Sequence, residues 1–143
     1  ILRGIKTLGI RMEQAQKNAL EIANWLKTQP AVTKVIYPGL PEHPGYEIMK
    51  KQAGGFGSML TFYVDNKEHA FEILEKVRMI KFAESLGGVE TLLTYPTTQT
   101  HADVPQEIRE KNGITDCTLR LSVGIEDARD LIAELTQVFA ELS

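Results

Sequence analysis

The 143 residues are 43% hydrophobic and carry a formal net charge of -3 spread over mixed signs. That supports one proper core and, by default, one domain; no basic stripe is present to follow a nucleic-acid backbone, so no nucleic-acid partner is expected. No apolar stretch approaches the ~20 residues of a membrane helix, so no membrane partner is expected either, and a lone Cys117 that cannot form an internal disulfide fits a reducing cytoplasm.

The opening Ile1-Leu2-Arg3-Gly4-Ile5 runs straight into a helical pattern and reads as a cut through a longer protein, with a processed chain as the alternative. Leu8, Met12, Ala15, Ala19, Ile22 and Leu26 recur at spacings of four and three, which predicts an amphipathic helix ended by Gln29-Pro30. A short strand over 32–37 follows, then a short helix within 41–52. Gly54-Gly55-Phe56-Gly57 leads into a strand over 58–64, and Asp65 with Glu68 resembles a capping box opening a helix through Ala70, Phe71, Leu74 and Val77. Strands over 80–83 and 90–95 flank Ser85-Leu86-Gly87-Gly88. After a loop over 96–105 comes a short helix over 106–111, stopped by Asn112-Gly113. The run Thr118-Leu119-Arg120-Leu121-Ser122-Val123 alternates strictly, and Leu131, Leu135, Val138 and Leu142 mark a closing helix. Several connections are too short for parallel crossovers, so the predicted fold is α+β, a largely antiparallel sheet covered by helices.

Arg120 is the most informative side chain. A strand period of two sends it to the face opposite Leu119 and Leu121, between the small hydroxyl residues Thr118 and Ser122. Its planar fork suits a carboxylate or phosphate held by two parallel hydrogen bonds, although an arginine on an open sheet face is also commonplace. The Glu84-Ser85-Leu86-Gly87-Gly88 turn is a second candidate, because paired glycines bring backbone N–H groups near a ligand while Ser85 donates and Glu84 accepts. A solvated turn is the plain alternative.

Other constellations carry less. The glycines at 54–57 precede a strand and not a helix, so they mark a turn and not a phosphate loop. His43, His69 and His101 stand singly, without metal spacing, and no metal site is expected. Ser85, His101 and Asp103 lack a nucleophile elbow, and Cys117 reads as a small packing residue.

Two longer segments change the weighing. Glu84-Ser-Leu-Gly-Gly-Val-Glu-Thr with Tyr95-Pro-Thr-Thr-Gln-Thr-His-Ala-Asp-Val-Pro105, and Gly113-Ile-Thr-Asp-Cys-Thr-Leu-Arg-Leu-Ser-Val-Gly-Ile-Glu-Asp127, resemble the transsulfuration enzymes. This pyridoxal-phosphate (PLP) family contains cystathionine γ-synthase, the cystathionine β- and γ-lyases and methionine γ-lyase. The resemblance implies the small C-terminal domain of a fold-type I PLP enzyme, with 1–28 as a linking helix of that domain and 29–143 as its α+β body. It implies that Arg120 grips the substrate α-carboxylate, that Ser85 lines the same pocket, that Glu84 lies near the substrate's distal end, and that Thr100 gives outer support. PLP, the electron sink of the family, is expected in a larger preceding domain together with its Schiff-base lysine, since no lysine here has a Ser-x-Thr-Lys setting. The implied function is a cytoplasmic C–S lyase for cystathionine or related sulfur amino acids, a homotetramer at full length, with this chain inactive alone. The surface facing its own N-terminal PLP domain is expected to be apolar and prone to self-association. A thiol-adding γ-synthase is the alternative within the family; a stand-alone amino-acid-binding module or a subunit-packing piece is the alternative outside it.

Overall fold

In a computed structural model, described over residues 1–142, the alternating stretches form a sheet of β1 (Val32–Ile36), β2 (Met59–Val64), β3 (Lys81–Phe82), β4 (Leu92–Thr94) and β5 (Thr118–Ser122). Their order is β1-β2-β5-β4-β3. The pairs β1–β2, β2–β5 and β5–β4 are antiparallel, and β3–β4 is parallel, so the sheet is mixed but largely antiparallel, as the sequence led us to expect.

The helices are α1 (Leu2–Ile5), α2 (Leu8–Leu26), α3 (Tyr46–Gln52), α4 (Lys67–Lys76), α5 (Gln106–Lys111) and α6 (Ala128–Ala140). Period two in β2 and β5 puts Leu60, Phe62, Leu119 and Leu121 on one buried face. Against it lie Ala19, Ile22 and Leu26 of α2, Ile73 of α4, and Leu131, Leu135 and Val138 of α6, all in one apolar cluster. Each fully buried Leu, Ile or Phe there contributes roughly 1.5–3 kcal/mol. The α2 stripe is shorter than its spacing predicts: Leu8 and Met12 are exposed, as are Ile1, Leu2, Ile5 and Ile10, and burial begins at Ala15.

Two local expectations are corrected. The cap of α4 is Asn66, whose side chain accepts from the His69 N–H at 2.7 Å. Asp65 instead meets the His69 ring nitrogen Nδ1 at 2.6 Å, so it does not form the capping box. The strand expected over 80–83 is only two residues long, because Glu134 takes the backbone N–H groups of Arg78, Met79 and Ile80 at 2.5, 2.5 and 2.9 Å. Those amides are lost to the ladder.

The connection from β3 to β4 is the unusual part. A parallel pair normally needs a long helical crossover. Here the segment after Ala83 leaves the sheet edge, crosses to β5 and returns. Val89 accepts from the Ile125 N–H at 2.9 Å on the far side. Gly124 makes that approach possible, since a Cβ at this position would sit 2.2 Å from the Val89 carbonyl oxygen. Thr91 then turns the chain back: its N–H and hydroxyl both donate to the Glu126 carboxylate at 2.6 and 2.8 Å, while its hydroxyl accepts from the Gly124 N–H at 2.9 Å.

Helix α2 joins this junction through Asn18, which is buried and donates to the carbonyls of Gly124 (3.1 Å) and Glu126 (2.7 Å). Removing that amide leaves two acceptors in the interior without a donor. Asn18→Ala is therefore expected to lower unfolding free energy by about 1–3 kcal/mol, read as a shifted urea midpoint at unchanged m-value.

Candidate functional site

Arg120 sits at the middle of β5, in register with Thr61 on β2 and Thr94 on β4. Cross-strand partners share a face, so these residues lie in one row on the side of the sheet away from the helical core. Ser122 and Thr118 share that face along β5 and are buried, while Arg120 is half-buried.

The Arg120 and Arg109 guanidiniums each bury an Nε without a hydrogen-bond partner, but Arg109 is engaged through Nη1 with the Thr97 carbonyl, whereas no hydrogen bond of the Arg120 guanidinium is found among the described residues. Nor does any carboxylate among them pair with Arg120. A buried donor on a charged group without an acceptor costs at least about 1–3 kcal/mol. The arrangement can accept an anion with a matching edge, and a carboxylate meets Nε and a terminal nitrogen in parallel.

The Glu84–Gly88 turn is brought to the same face. The Thr94 hydroxyl donates to the carbonyl of Ala83 at 3.1 Å, just before the turn. The Ser122 hydroxyl accepts from the Gly87 N–H at 2.9 Å, near its end. Gly87 has φ +75°, a left-handed conformation that glycine adopts without steric cost. Glu84, Ser85 and Leu86 point their side chains into solvent, Leu86 being 58% exposed. The backbone that carries Glu84 and Ser85 is thus tied to Thr94 and Ser122, the two hydroxyl residues beside Arg120, while the side chains of Glu84 and Ser85 themselves face solvent.

Thr100 stands apart. Its exposed hydroxyl lies 2.8 Å from Nδ1 of His101, and no hydrogen bond among the described residues links it to Arg120 or to the turn. Its loop is held by the Tyr95 N–H, which donates to Oε1 of Gln99 at 2.8 Å, and by the Arg109 guanidinium, which donates to the Thr97 carbonyl at 2.6 Å.

The weaker constellations dissolve. His101 engages Thr100 and not Asp103, which removes the triad geometry. His43 accepts from the Gly45 N–H, and no cluster of three or more His, Cys, Asp or Glu among the described residues could hold a metal. The Cys117 thiol is pushed up in pKa, first by burial and then by Asp116, Asp65 and Glu68, so it is held in its less nucleophilic form. Among the described residues, no helix is long and apolar enough to cross a membrane.

Sequence reasoning missed Thr94 and the junction of Thr91, Gly124 and Glu126. The alternation in β5 flags Ser122 only as a neighbour of Arg120. Nothing local reveals that Thr94 faces the same guanidinium, since that depends on a register between segments distant in sequence.

Residues 1–140 match the family described as Cys/Met metabolism PLP-dependent enzyme. The chain is 52% identical over 137 residues to cystathionine gamma-lyase of Dictyostelium discoideum, covering 95% of this chain and 35% of that protein. It is 47% identical over 143 residues to a cystathionine beta-lyase of Bacillus subtilis, covering 100% of this chain and 37% of the relative. Among solved structures it resembles cystathionine gamma-lyase from Lactobacillus plantarum complexed with L-serine, with a TM-score of 0.91, 44% identity and coverage of 96% of this chain and 36% of that one. It also resembles cystathionine gamma synthase from Xanthomonas oryzae pv. oryzae in complex with cystathionine, with a TM-score of 0.93, 40% identity and coverage of 97% and 36%. The chain spans about a third of the length of these relatives. With a match over nearly its whole length, it belongs to the PLP-dependent enzymes of cysteine and methionine metabolism.

Proposed function

We propose that this chain is the C-terminal, substrate-carboxylate-binding domain of a PLP-dependent C–S lyase acting on cystathionine or a related sulfur amino acid. The observation that carries the reading is the Arg120 Nε, buried and without an acceptor on the face where the Glu84–Gly88 turn is anchored. A substrate carboxylate supplies the missing acceptor. Holding it by two parallel bonds fixes the torsion about the substrate's Cα, which is catalysis by positioning. Solved relatives hold L-serine and cystathionine, amino acids whose acid group matches such a fork.

The residues of this chain suit the substrate's acid group and not the cofactor itself. The lysines in register with the Arg120 face are Lys34 and Lys81. Lys34 stands over the Tyr63 ring at 5.6 Å, and Lys81 donates to the Arg78 carbonyl. The Gly54–Gly57 run enters β2, so it presents no helix N-terminus to a phosphate. No step through PLP is assigned to these residues. On this reading the cofactor lies in an N-terminal domain outside the chain, the chain alone turns over nothing, and the whole enzyme is a cytoplasmic homotetramer. The exposed Ile1, Leu2, Ile5, Leu8, Ile10 and Met12 provide an apolar surface for that domain to cover. The likeness to a γ-synthase gives thiol addition as the second reading. Assay of the full-length enzyme for thiol release against thiol incorporation separates the two.

In the full-length enzyme, Arg120→Ala is expected to lower kcat/KM at least about tenfold, the loss of one charge-assisted contact. A change under about twofold removes Arg120 as the carboxylate clamp. On this reading Glu84, exposed at the start of the turn, accepts the distal ammonium of cystathionine. Glu84→Ala is expected to impair cystathionine more than an uncharged thioether substrate, and equal losses on both rule out that role.

A further inference from the structure

The Glu84–Gly88 turn has almost nothing of its own to hold it. Glu84, Ser85, Leu86 and Gly87 are exposed, and among the described residues the one hydrogen bond made by 84–88 to the rest of the fold is the Gly87 N–H to Ser122. Just ahead of it, Thr94 ties down the Ala83 carbonyl. Both hydroxyl residues are only 1% exposed. Both also flank Arg120: Thr94 is its partner across β4, and Ser122 follows two positions along β5. The paired strands β4 and β5 that flank the guanidinium therefore also set, through one short side chain each, where the turn lies relative to it.

We infer that Thr94 and Ser122 are positioning residues: their hydroxyls fix the spacing between Arg120 and the Glu84–Gly87 turn and so set how tightly an amino-acid substrate is gripped. This rests on the carboxylate-binding reading of Arg120. Neither hydroxyl is assigned contact with the substrate. Their effect passes through the turn, so it falls on binding and not on the chemical step. The junction of Thr91, Gly124 and Glu126 anchors the rear of the same segment and the contacts of Ala83 with Leu93 and Thr94 hold its front, which leaves the Ser122 bond as the restraint within the turn itself. Neither residue takes part in the apolar cluster on the opposite face, so removing a hydroxyl leaves that packing intact.

The test uses the full-length enzyme with Ser122→Ala, Thr94→Val and Thr94→Ser. Losing one neutral hydrogen bond is expected to raise KM about three- to tenfold in Ser122→Ala and Thr94→Val, with kcat changed less than about twofold, while Thr94→Ser restores KM. Hydrogen exchange supplies a readout independent of turnover. In Ser122→Ala, amides at 84–88 are expected to exchange faster, with those of β2 and β5 unchanged. Faster exchange across the whole sheet, or unchanged exchange at 84–88, overturns the inference. So does a fall in kcat at constant KM. Should Arg120→Ala leave kcat/KM intact while exchange at 84–88 still responds to Ser122→Ala, the carboxylate reading fails and the clamp on the turn stands.

Discussion

The register between β2, β5 and β4 is the constraint on which the remaining structure depends. It pairs Leu60 with Leu121, Phe62 with Leu119 and Leu93 with Leu121, all inside the core. A slip of one residue in β5 would turn Leu119 and Leu121 outward and drive the Arg120 charge into the helices. Each leucine is worth roughly 1.5–3 kcal/mol when buried, so the apolar face outweighs the cost of a partly desolvated guanidinium opposite it. The hydrophobic effect thus aims Arg120 without touching it. Nothing on the Arg120 face has to provide that energy, so the face is free to present hydroxyls and a cation.

The crossing segment extends the same logic. A parallel β3–β4 pair joined by so short a connection leaves no room for a covering helix, so the chain itself passes over the sheet. Its path is fixed by polar contacts, not apolar ones. Thr91 donates twice to the Glu126 carboxylate at the return, Gly124 leaves space for the Val89 carbonyl, and Ser122 holds Gly87. Asn18 carries this junction back to α2. Helix α2, the β5–α6 connection and the turn beside Arg120 are therefore one hydrogen-bonded assembly. Disturbance of α2 reaches the turn through named atoms.

Much of the fold was legible because it follows from periodicity. The buried half of α2, the alternation of β2 and β5 and the α6 stripe of Leu131, Leu135 and Val138 stand where their spacing put them, while Leu142 lies past the helix end at Ala140. Strand ends were not legible, and the reason is specific. The Ile80 amide goes to Glu134, the Thr91 amide to Glu126 and the Tyr95 amide to Gln99, so acceptors outside the ladder cut β3 and β4 short. The cap of α4 moved from Asp65 to Asn66 because Asp65 is engaged by the His69 ring. At the candidate site, Arg120 and the Gly-Gly turn could be picked out by residue type. Thr94 could not, since only the register shows it beside Arg120.

The unpartnered Nε also bears on what kind of protein this is. In a piece serving only to pack subunits, a half-buried arginine with a stranded donor is a standing cost, and a leucine or methionine of similar volume would carry none. In a stand-alone sensor the fork would be useful, but Ile1, Leu2, Ile5 and Ile10 on the opening helices would then face water with nothing to offset their exposure. The proposed reading, an enzyme domain whose fork takes an amino acid and whose apolar opening helices are covered, addresses both observations together. The two features are separated along the chain, yet the proposed function explains them by one cause.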